Sequence, residues 1–259
     1  MKVRLVGSSI GATEVRQHLT TFLINDCLAI DAGSVGLMEL ASQRAIRHLF
    51  LSHAHIDHLA TLPIFLDNVF QPGRTAPQVY ASREVWSTLT SDLFNERLWA
   101  DLTRVATEES AFYNAVPIAS EVPLEIEGLR ITPVAVDHGV PTLGFLIEEQ
   151  TTAILIVSDT GPTSRIWELA NAPTFRSKLR AVYLECSFPN SLEWLAKKTN
   201  HLCPRLFEAE LAKLHPTPAA QTVAVHLKAA MHDLLVKELR ELSLPNFCFG
   251  VETSQWEFR

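Results

Sequence analysis

A chain of 259 residues, 47% hydrophobic and 20% charged, holds ample material for a packed core, which excludes intrinsic disorder. Its formal net charge of −7 disfavours broad contact with a nucleic-acid backbone, whose phosphates must be neutralised by basic side chains. A small anionic substrate stays compatible, because bound cations can supply positive charge locally.

Cys27, Cys186, Cys203 and Cys248 are far apart and form no Cys-x-x-Cys pair, which predicts reduced, mostly buried thiols in a cytoplasmic protein. The opening stretch MKVRLVGSSIGATEV is too polar for a signal peptide, and no apolar run approaches the roughly 20 residues of a membrane span. The expectation is a soluble intracellular protein with no membrane partner. Without low-complexity tracts or a Gly/Ser linker, residues 1–259 read as one domain.

Residues 3–7 predict a first strand that ends in Gly7-Ser8-Ser9. Residues 21–24 and 27–30 read as two strands joined by a tight turn at Asn25-Asp26, closed by Asp31-Ala32-Gly33. A carboxylate there either fixes a loop or supports a metal-ligating His from behind, and Asp31 is assigned the second role. Residues 35–44 suit a short amphipathic helix, and the apolar run 46–51 a strand leading into His53-Ala54-His55-Ile56-Asp57-His58. A helix-like segment over 59–70 follows and is broken by Gln71-Pro72-Gly73.

After a strand at 79–80, residues 83–112 have a helical pattern carrying Trp86, Leu89, Leu93, Phe94, Leu98, Trp99 and Leu102. This segment could pack on the core, wall a pocket or join the subunits of a homodimer. Residues 122–126 and 129–136 predict a hairpin about Glu127-Gly128 that delivers Asp137-His138-Gly139. A second hairpin, 144–148 with 153–157, turns at Gln150-Thr151 and ends in Ser158-Asp159-Thr160-Gly161. Residues 166–179 read as helical despite Pro173, and 181–184 as a buried strand ending in Glu185. Asn190 or Ser191 can cap a helix over 192–198. His201-Leu202-Cys203 precedes a helix opened by Pro204. A strand at 222–225 leads to His226-Leu227-Lys228. A last helix turns Met231, Leu234, Leu235, Val236 and Leu239 inward, and a strand at 247–251 closes the chain.

The hexapeptide concentrates ligand chemistry. On a strand His53 and His55 would point the same way, with Asp57 and His58 following where the chain departs. His138, Asp159 and His226 each follow an apolar strand, so all can gather along one sheet edge. The resulting proposal gives a first ion His53, His55 and His138, and a second ion Asp57, His58 and His226, with Asp159 bridging. Imidazole and carboxylate donors suit two divalent cations, zinc first and manganese or iron as alternatives. Open positions would remain for a water held between them.

This pattern resembles the metallo-β-lactamase superfamily over essentially the whole chain. The resemblance implies an α/β, four-layer αββα sandwich, two mixed sheets with helices outside. Glu185-Cys186-Ser187-Phe188-Pro189-Asn190, His201-Leu202-Cys203-Pro204 and His226-Leu227-Lys228 are further similar to class II 3′,5′-cyclic-nucleotide phosphodiesterases. So are Phe22-Leu23-Ile24-Asn25 leading to Ala29-Ile30-Asp31-Ala32-Gly33, and Leu62-Pro63 with Leu66-Asp67-Asn68. The related tRNA 3′-processing endonucleases also place a Glu and then a His before the last ligand.

The resemblance implies a dinuclear hydrolase opening cyclic nucleotides (cAMP or cGMP) to 5′-monophosphates. Expulsion of the 3′-alkoxide calls for a proton donor, and His201, oriented by Glu185, is the candidate. Asp57 would also take a proton from the bridging water, as the resemblance implies. Lys228 could touch a phosphate oxygen or stand in solvent.

Thr61 departs from the Gly often found at its position in both groups. A long Gly/Pro-rich insertion of the kind that grips RNA is missing, and with the acidic balance this makes tRNA the weaker alternative. A non-catalytic nucleotide-binding scaffold is a third reading.

Overall fold

The computed structural model describes all residues except 10–15, 108–109, 218, 252–253 and 259. In chain order the first half comprises β1 (Lys2–Leu5), β2 (Phe22–Ile24), β3 (Leu28–Ile30), α1 (Leu40–Ala45), β4 (His48–Phe50), α2 (Ile56–Leu59), α3 (Leu62–Val69), β5 (Gln78–Ala81), α4 (Arg83–Thr88), α5 (Leu102–Val105) and β6 (Asn114–Pro117). The second half comprises β7 (Leu124–Ile126), β8 (Leu129–Val136), β9 (Thr142–Glu149), β10 (Thr152–Val157), α6 (Arg165–Ala170), α7 (Pro173–Arg176), β11 (Leu179–Glu185), α8 (Glu193–Thr199), α9 (Pro204–Leu211), β12 (Gln221–Val225), α10 (His232–Glu241), β13 (Phe247–Phe249) and β14 (Gln255–Glu257).

The strands form two seven-stranded mixed sheets, β14-β1-β2-β3-β4-β5-β6 and β13-β12-β11-β10-β9-β8-β7. Each is antiparallel on one side and parallel on the other: β3 to β6 run parallel in the first, β10 to β13 in the second. The inner faces meet in one core. Phe22 lies edge-on to Tyr183 at 5.4 Å, and Phe50 edge-on to Phe145 at 5.8 Å, each pair joining the two sheets.

Alternation sets the outer layers. Ile154 and Ile156 of β10 face the inter-sheet core, while Ala153, Leu155 and Val157 face Ile166 and Trp167 of α6 and Phe207 of α9. With both faces covered, β10 is a continuous apolar run, as a central strand of a sandwich must be. On the first sheet, Leu62, Phe65 and Leu66 of α3 and Val85 of α4 cover Leu23, Ala29, Leu49 and Val79. The expected αββα sandwich is the observed fold. No helix among the described residues is long and apolar enough to cross a membrane.

Several local expectations need correction. Residues 83–112 are not one helix: α4 passes into a wide, π-type turn over Leu89–Leu93 and then into loop before the single turn of α5. The cause is polar. The Asn95 carboxamide oxygen accepts from the amides of Arg97 and Leu98, Glu96 takes φ 62°, and Asp101 caps α5 through the Thr103 amide. Its apolar side chains Val85, Leu89, Phe94, Leu102 and Phe112 are buried against the first sheet's outer layer. The helix expected over 166–179 is two, because Pro173 starts α7, and Leu179 already belongs to β11.

Residues 35–44 divide into a 3₁₀ turn at Val35–Leu37 and α1. Neither Asn190 nor Ser191 caps α8 through its side chain; they lie in a 3₁₀ turn before it. Pro204 does open α9 at its first turn. Leu234 faces outward on α10, whose buried side chains are Leu235 and Leu239. The closing strand ends at Phe249, and β6 and β14 were not foreseen. All four cysteines are free thiols, with Cys186 and Cys203 buried and Cys27 and Cys248 half-buried.

Candidate metal centre

Strand polarity gathers the ligand-type residues. β10, β11 and β12 are parallel, and β8 shares their direction because two antiparallel pairings separate it from β10. Their C-terminal ends therefore open on one edge, where His138, Asp159, Glu185 and His226 stand. Asp31 and the hexapeptide follow the parallel strands β3 and β4 of the facing sheet. The Leu143 amide donates to the Ser52 carbonyl at 3.0 Å, tying the two sheets together at this edge.

The hexapeptide does not continue the strand. β4 ends at Phe50; His53 lies in the loop, His55 precedes α2, and Asp57 and His58 belong to α2. His53 and His55 nevertheless converge, with ring centroids 4.6 Å apart. The ligand atoms of His53, His55, His138 and Asp159 all lie within 4.8 Å of one another, and so do those of Asp57, His58 and His226. Asp159 faces both groups: Oδ2 is 3.8 Å from His53 Nε2 and 3.7 Å from His138 Nε2, and Oδ1 is 3.2 Å from His58 Nε2 and 3.5 Å from His226 Nε2. All seven residues expected to hold metal thus come together, and His201 joins Asp159 and His226 in a third group whose ligand atoms lie within the same distance.

The donor set fits cations. His53 Nε2, His58 Nε2 and Asp159 Oδ1 are buried without a hydrogen-bond partner, although such groups are costly to leave unpaired. Each converges on the same small volume, and a cation there would satisfy all three. The cluster can hold a metal.

Behind the ligands, fixed partners choose which nitrogen faces the centre. Fully buried Asp31 accepts from the Ser52 amide at 2.7 Å and the Ser52 hydroxyl at 2.8 Å, and takes His58 Nδ1–H at 2.7 Å. Asp31 thus occupies the supporting position expected of it, at φ 64°. His138 Nδ1 donates to the Asn200 carbonyl at 2.9 Å. These bonds leave Nε2 of His58 and His138 as the nitrogens turned inward. Thr61 also ties the loop: its hydroxyl donates to the Ala32 carbonyl at 2.9 Å and accepts the Gly36 amide at 2.8 Å.

Charge follows this geometry. Burial, helped by neighbouring His58, pushes His53 well below its ordinary pKa. Burial also opposes charge on His58, but Asp159 and Asp31 outweigh it and hold that imidazole high. For Asp57, burial is overcome by His226 at 3.0 Å and by His58, so its carboxyl lies well below the usual range.

Glu185 and His201 meet beside the cluster. Glu185 Oε1 is 2.6 Å from His201 Nδ1, and His201 Nδ1 is 4.0 Å from Asp159 Oδ2. Burial disfavours protonated His201, but the Glu185 charge and hydrogen bond prevail and raise its pKa. Glu185 also accepts the amides of Thr160 at 3.0 Å and Leu202 at 3.3 Å. A cleft of about 240 Å³ opens over the second group, lined by His18, Asp57, His226 and Lys228 among others. Lys228 Nζ lies 5.4 Å from the Phe188 ring centroid. A larger cavity of about 770 Å³, with Arg44, Arg47 and Arg74 on its walls, lies at the N-terminal ends of β4 and β5, away from these ligands.

Sequence reasoning missed Ser52, Ser187 and Asn200. A Ser directly before His53, and another two residues after Glu185, were the available signals. Asn tolerates the left-handed conformation that Asn200 adopts at φ 51°.

Comparison with known proteins places this architecture. A family model described as a beta-lactamase superfamily domain matches residues 27–227. A probable 3′,5′-cyclic-nucleotide phosphodiesterase of Yersinia pestis is 24% identical over 225 residues, covering 77% of this chain and 64% of that protein. The chain therefore spans a little under two thirds of that relative's length. Unliganded yeast PDE1 superposes with a TM-score of 0.76 at 15% identity, covering 96% of each chain. Human tRNase Z, short form, gives 0.69 at 14% identity over 99% of each chain. At such identities these two likenesses establish the fold. The family match runs from before Asp31 to beyond His226 and so takes in every ligand-type residue of the cluster. The chain belongs to the metallo-β-lactamase superfamily.

Proposed function

We propose that this protein is a dinuclear metal-dependent phosphodiesterase that hydrolyses 3′,5′-cyclic nucleotides to 5′-monophosphates. The observation that carries the reading is the buried Glu185–His201 contact of 2.6 Å at the rim of the metal cluster. A thioester expels a thiolate that leaves unaided, whereas an alkoxide leaving a phosphodiester needs protonation. His201, with Nδ1 committed to Glu185, keeps Nε2 as the atom able to deliver that proton.

His53, His55 and His138 would hold one cation, and Asp57, His58 and His226 the other, with Asp159 shared. When bound, two such ions activate water and share the charge that builds on phosphorus. Imidazoles with carboxylates favour zinc, with manganese or iron also accommodated. Asp57, exposed on one side to the cleft, would accept the proton of the attacking water. Lys228 on the same cleft would meet a phosphate oxygen. The cleft of about 240 Å³ is of mononucleotide scale rather than an RNA groove, and the net charge of −7 points the same way. The Yersinia relative's description agrees with this substrate class. Four free thiols support a reducing compartment, and we place the protein in the cytoplasm.

The test is a panel of cAMP, cGMP, linear phosphodiesters and pre-tRNA presented to the purified protein with zinc, manganese or iron. Turnover of a cyclic nucleotide supports the proposal. Cleavage of pre-tRNA alone would assign the tRNA-processing reading, and turnover of nothing by the metal-replete protein the scaffold reading.

A further inference from the structure

Two buried serines stand in matching positions on opposite sides of the metal cluster. On the first sheet, Ser52 Oγ is 2.8 Å from Asp31 Oδ2 and 2.9 Å from His53 Nδ1. On the second, Ser187 Oγ is 2.8 Å from Glu185 Oε2 and 2.9 Å from His226 Nδ1. Both serines and both acids are fully buried. A carboxylate can only accept, so each hydroxyl spends its one hydrogen on its acid and keeps lone pairs for the imidazole N–H. Each Ser thereby favours Nδ1–H on its His and turns Nε2 toward the cluster, where His53 Nε2 has no hydrogen-bond partner and His226 Nε2 lies 3.0 Å from Asp57 Oδ2.

The two halves share a second feature. Each acid also takes a histidine directly: Asp31 takes His58 at 2.7 Å, and Glu185 takes His201 at 2.6 Å. One carboxylate thus sets two imidazoles, one by contact and one through a hydroxyl. On the Asp31 side both imidazoles are assigned to metal. On the Glu185 side one is assigned to metal and the other to proton donation, and the rings of His201 and His226 stack at 5.7 Å.

Resting on the metal-site reading above, we propose that Ser187 is a positioning residue through which Glu185 holds His226 as well as His201. The second-ion site and the proton donor are then tied to a single carboxylate. Ser52 does the corresponding work for His53 at the first-ion site. His226 also has φ 56°, a left-handed backbone that a β-carbon disfavours and that the surrounding contacts must hold.

The experiment measures affinities for two zinc ions by competition with a chromophoric chelator, in the parent and in Ser187→Ala, Ser187→Thr and Ser52→Ala. Removal of such outer partners typically weakens metal binding about 10- to 100-fold. Ser187→Ala should lower one of the two affinities by that factor, Ser52→Ala the other, and Ser187→Thr should restore the parent's value. A general loss of stability would lower both together. A parent that binds two ions and a Ser187→Ala variant that matches it overturn the inference and leave the metal-site reading intact. A parent that binds no ion overturns both. Should Ser187→Ala fail to fold, imidazole ¹⁵N–¹H correlation spectra of the zinc-loaded parent decide: His226 protonated on Nδ1 is expected, and His226 protonated on Nε2 overturns the relay.

Discussion

The carboxylate of Asp31 and the imidazole of His58 are 2.7 Å apart, both wholly buried, with the Asp31 backbone in the left-handed region at φ 64°. Asp31 is the first residue after β3, and its amide donates to the Phe50 carbonyl of β4 at 2.7 Å. A strand end, a turn residue and a carboxylate are thus combined in one residue that aims His58 Nε2 into the candidate metal site. Asp31→Asn keeps the shape and removes the charge. Zinc affinity should fall about 10- to 100-fold, measured by chelator competition, while the fold persists in circular dichroism.

His201 should be needed in proportion to the difficulty of the leaving group. For a cyclic nucleotide, whose alkoxide leaves poorly, His201→Ala should reduce kcat about 10²- to 10⁴-fold. For a p-nitrophenyl phosphodiester, whose phenolate leaves unaided, the loss should be below about tenfold, because general acid help has little to supply. Equal losses on both substrates would show that His201 acts structurally.

Metal removal should soften the whole molecule, because buried His53 Nε2, His58 Nε2 and Asp159 Oδ1 make no hydrogen bond with the protein. At a free zinc concentration about 100 times Kd, binding contributes about 2.7 kcal/mol per site. For a domain of this size that corresponds to a fall in Tm of about 5–10 °C per site on chelation, read by calorimetry.

Gly33 occupies a crossing of three segments. A β-carbon there would overlap the Asp57 carbonyl oxygen and lie 2.6 Å from the Thr20 nitrogen, both backbone atoms that cannot swing aside. Gly33→Ala should cost about 1–3 kcal/mol in urea unfolding and should also weaken metal binding, since the displaced carbonyl belongs to a ligand residue.

A second buried acid is structural. Glu210 accepts Trp167 Nε1–H at 2.7 Å and the Thr163 amide at 3.2 Å, and pairs with Lys213 at 2.6 Å. None of these groups touches the metal cluster. Glu210→Ala strands the Trp167 indole N–H and the Thr163 amide, while Lys213 keeps the Thr163 carbonyl and solvent, and should lower stability by about 1–3 kcal/mol. KM and kcat of the folded variant should match the parent's.

The metal cluster was legible because its core is local. His53, His55, Asp57 and His58 lie within six residues, Asp159 and His226 each follow an apolar run buried on both faces, and His138 follows the largely apolar, partly exposed β8. Ser52 and Ser187 were not, since a hydroxyl becomes a relay only when a carboxylate and an imidazole arrive from distant segments, and no spacing records that. The stretch 83–112 misled because its apolar spacing imitates a helix, whereas Asn95, Glu96 and Asp101 hold the backbone by side-chain bonds and a left-handed residue. β6 and β14 are edge strands with mostly exposed side chains, so they lack the alternation that reveals a half-buried strand.

The central claim is tested most directly by incubating the metal-loaded protein with cAMP and cGMP and identifying the product by chromatography. Turnover to the 5′-monophosphate is expected, abolished by chelation and restored by zinc, manganese or iron. Cyclic nucleotides left intact by a protein that holds two metal ions and cleaves another phosphodiester would contradict it.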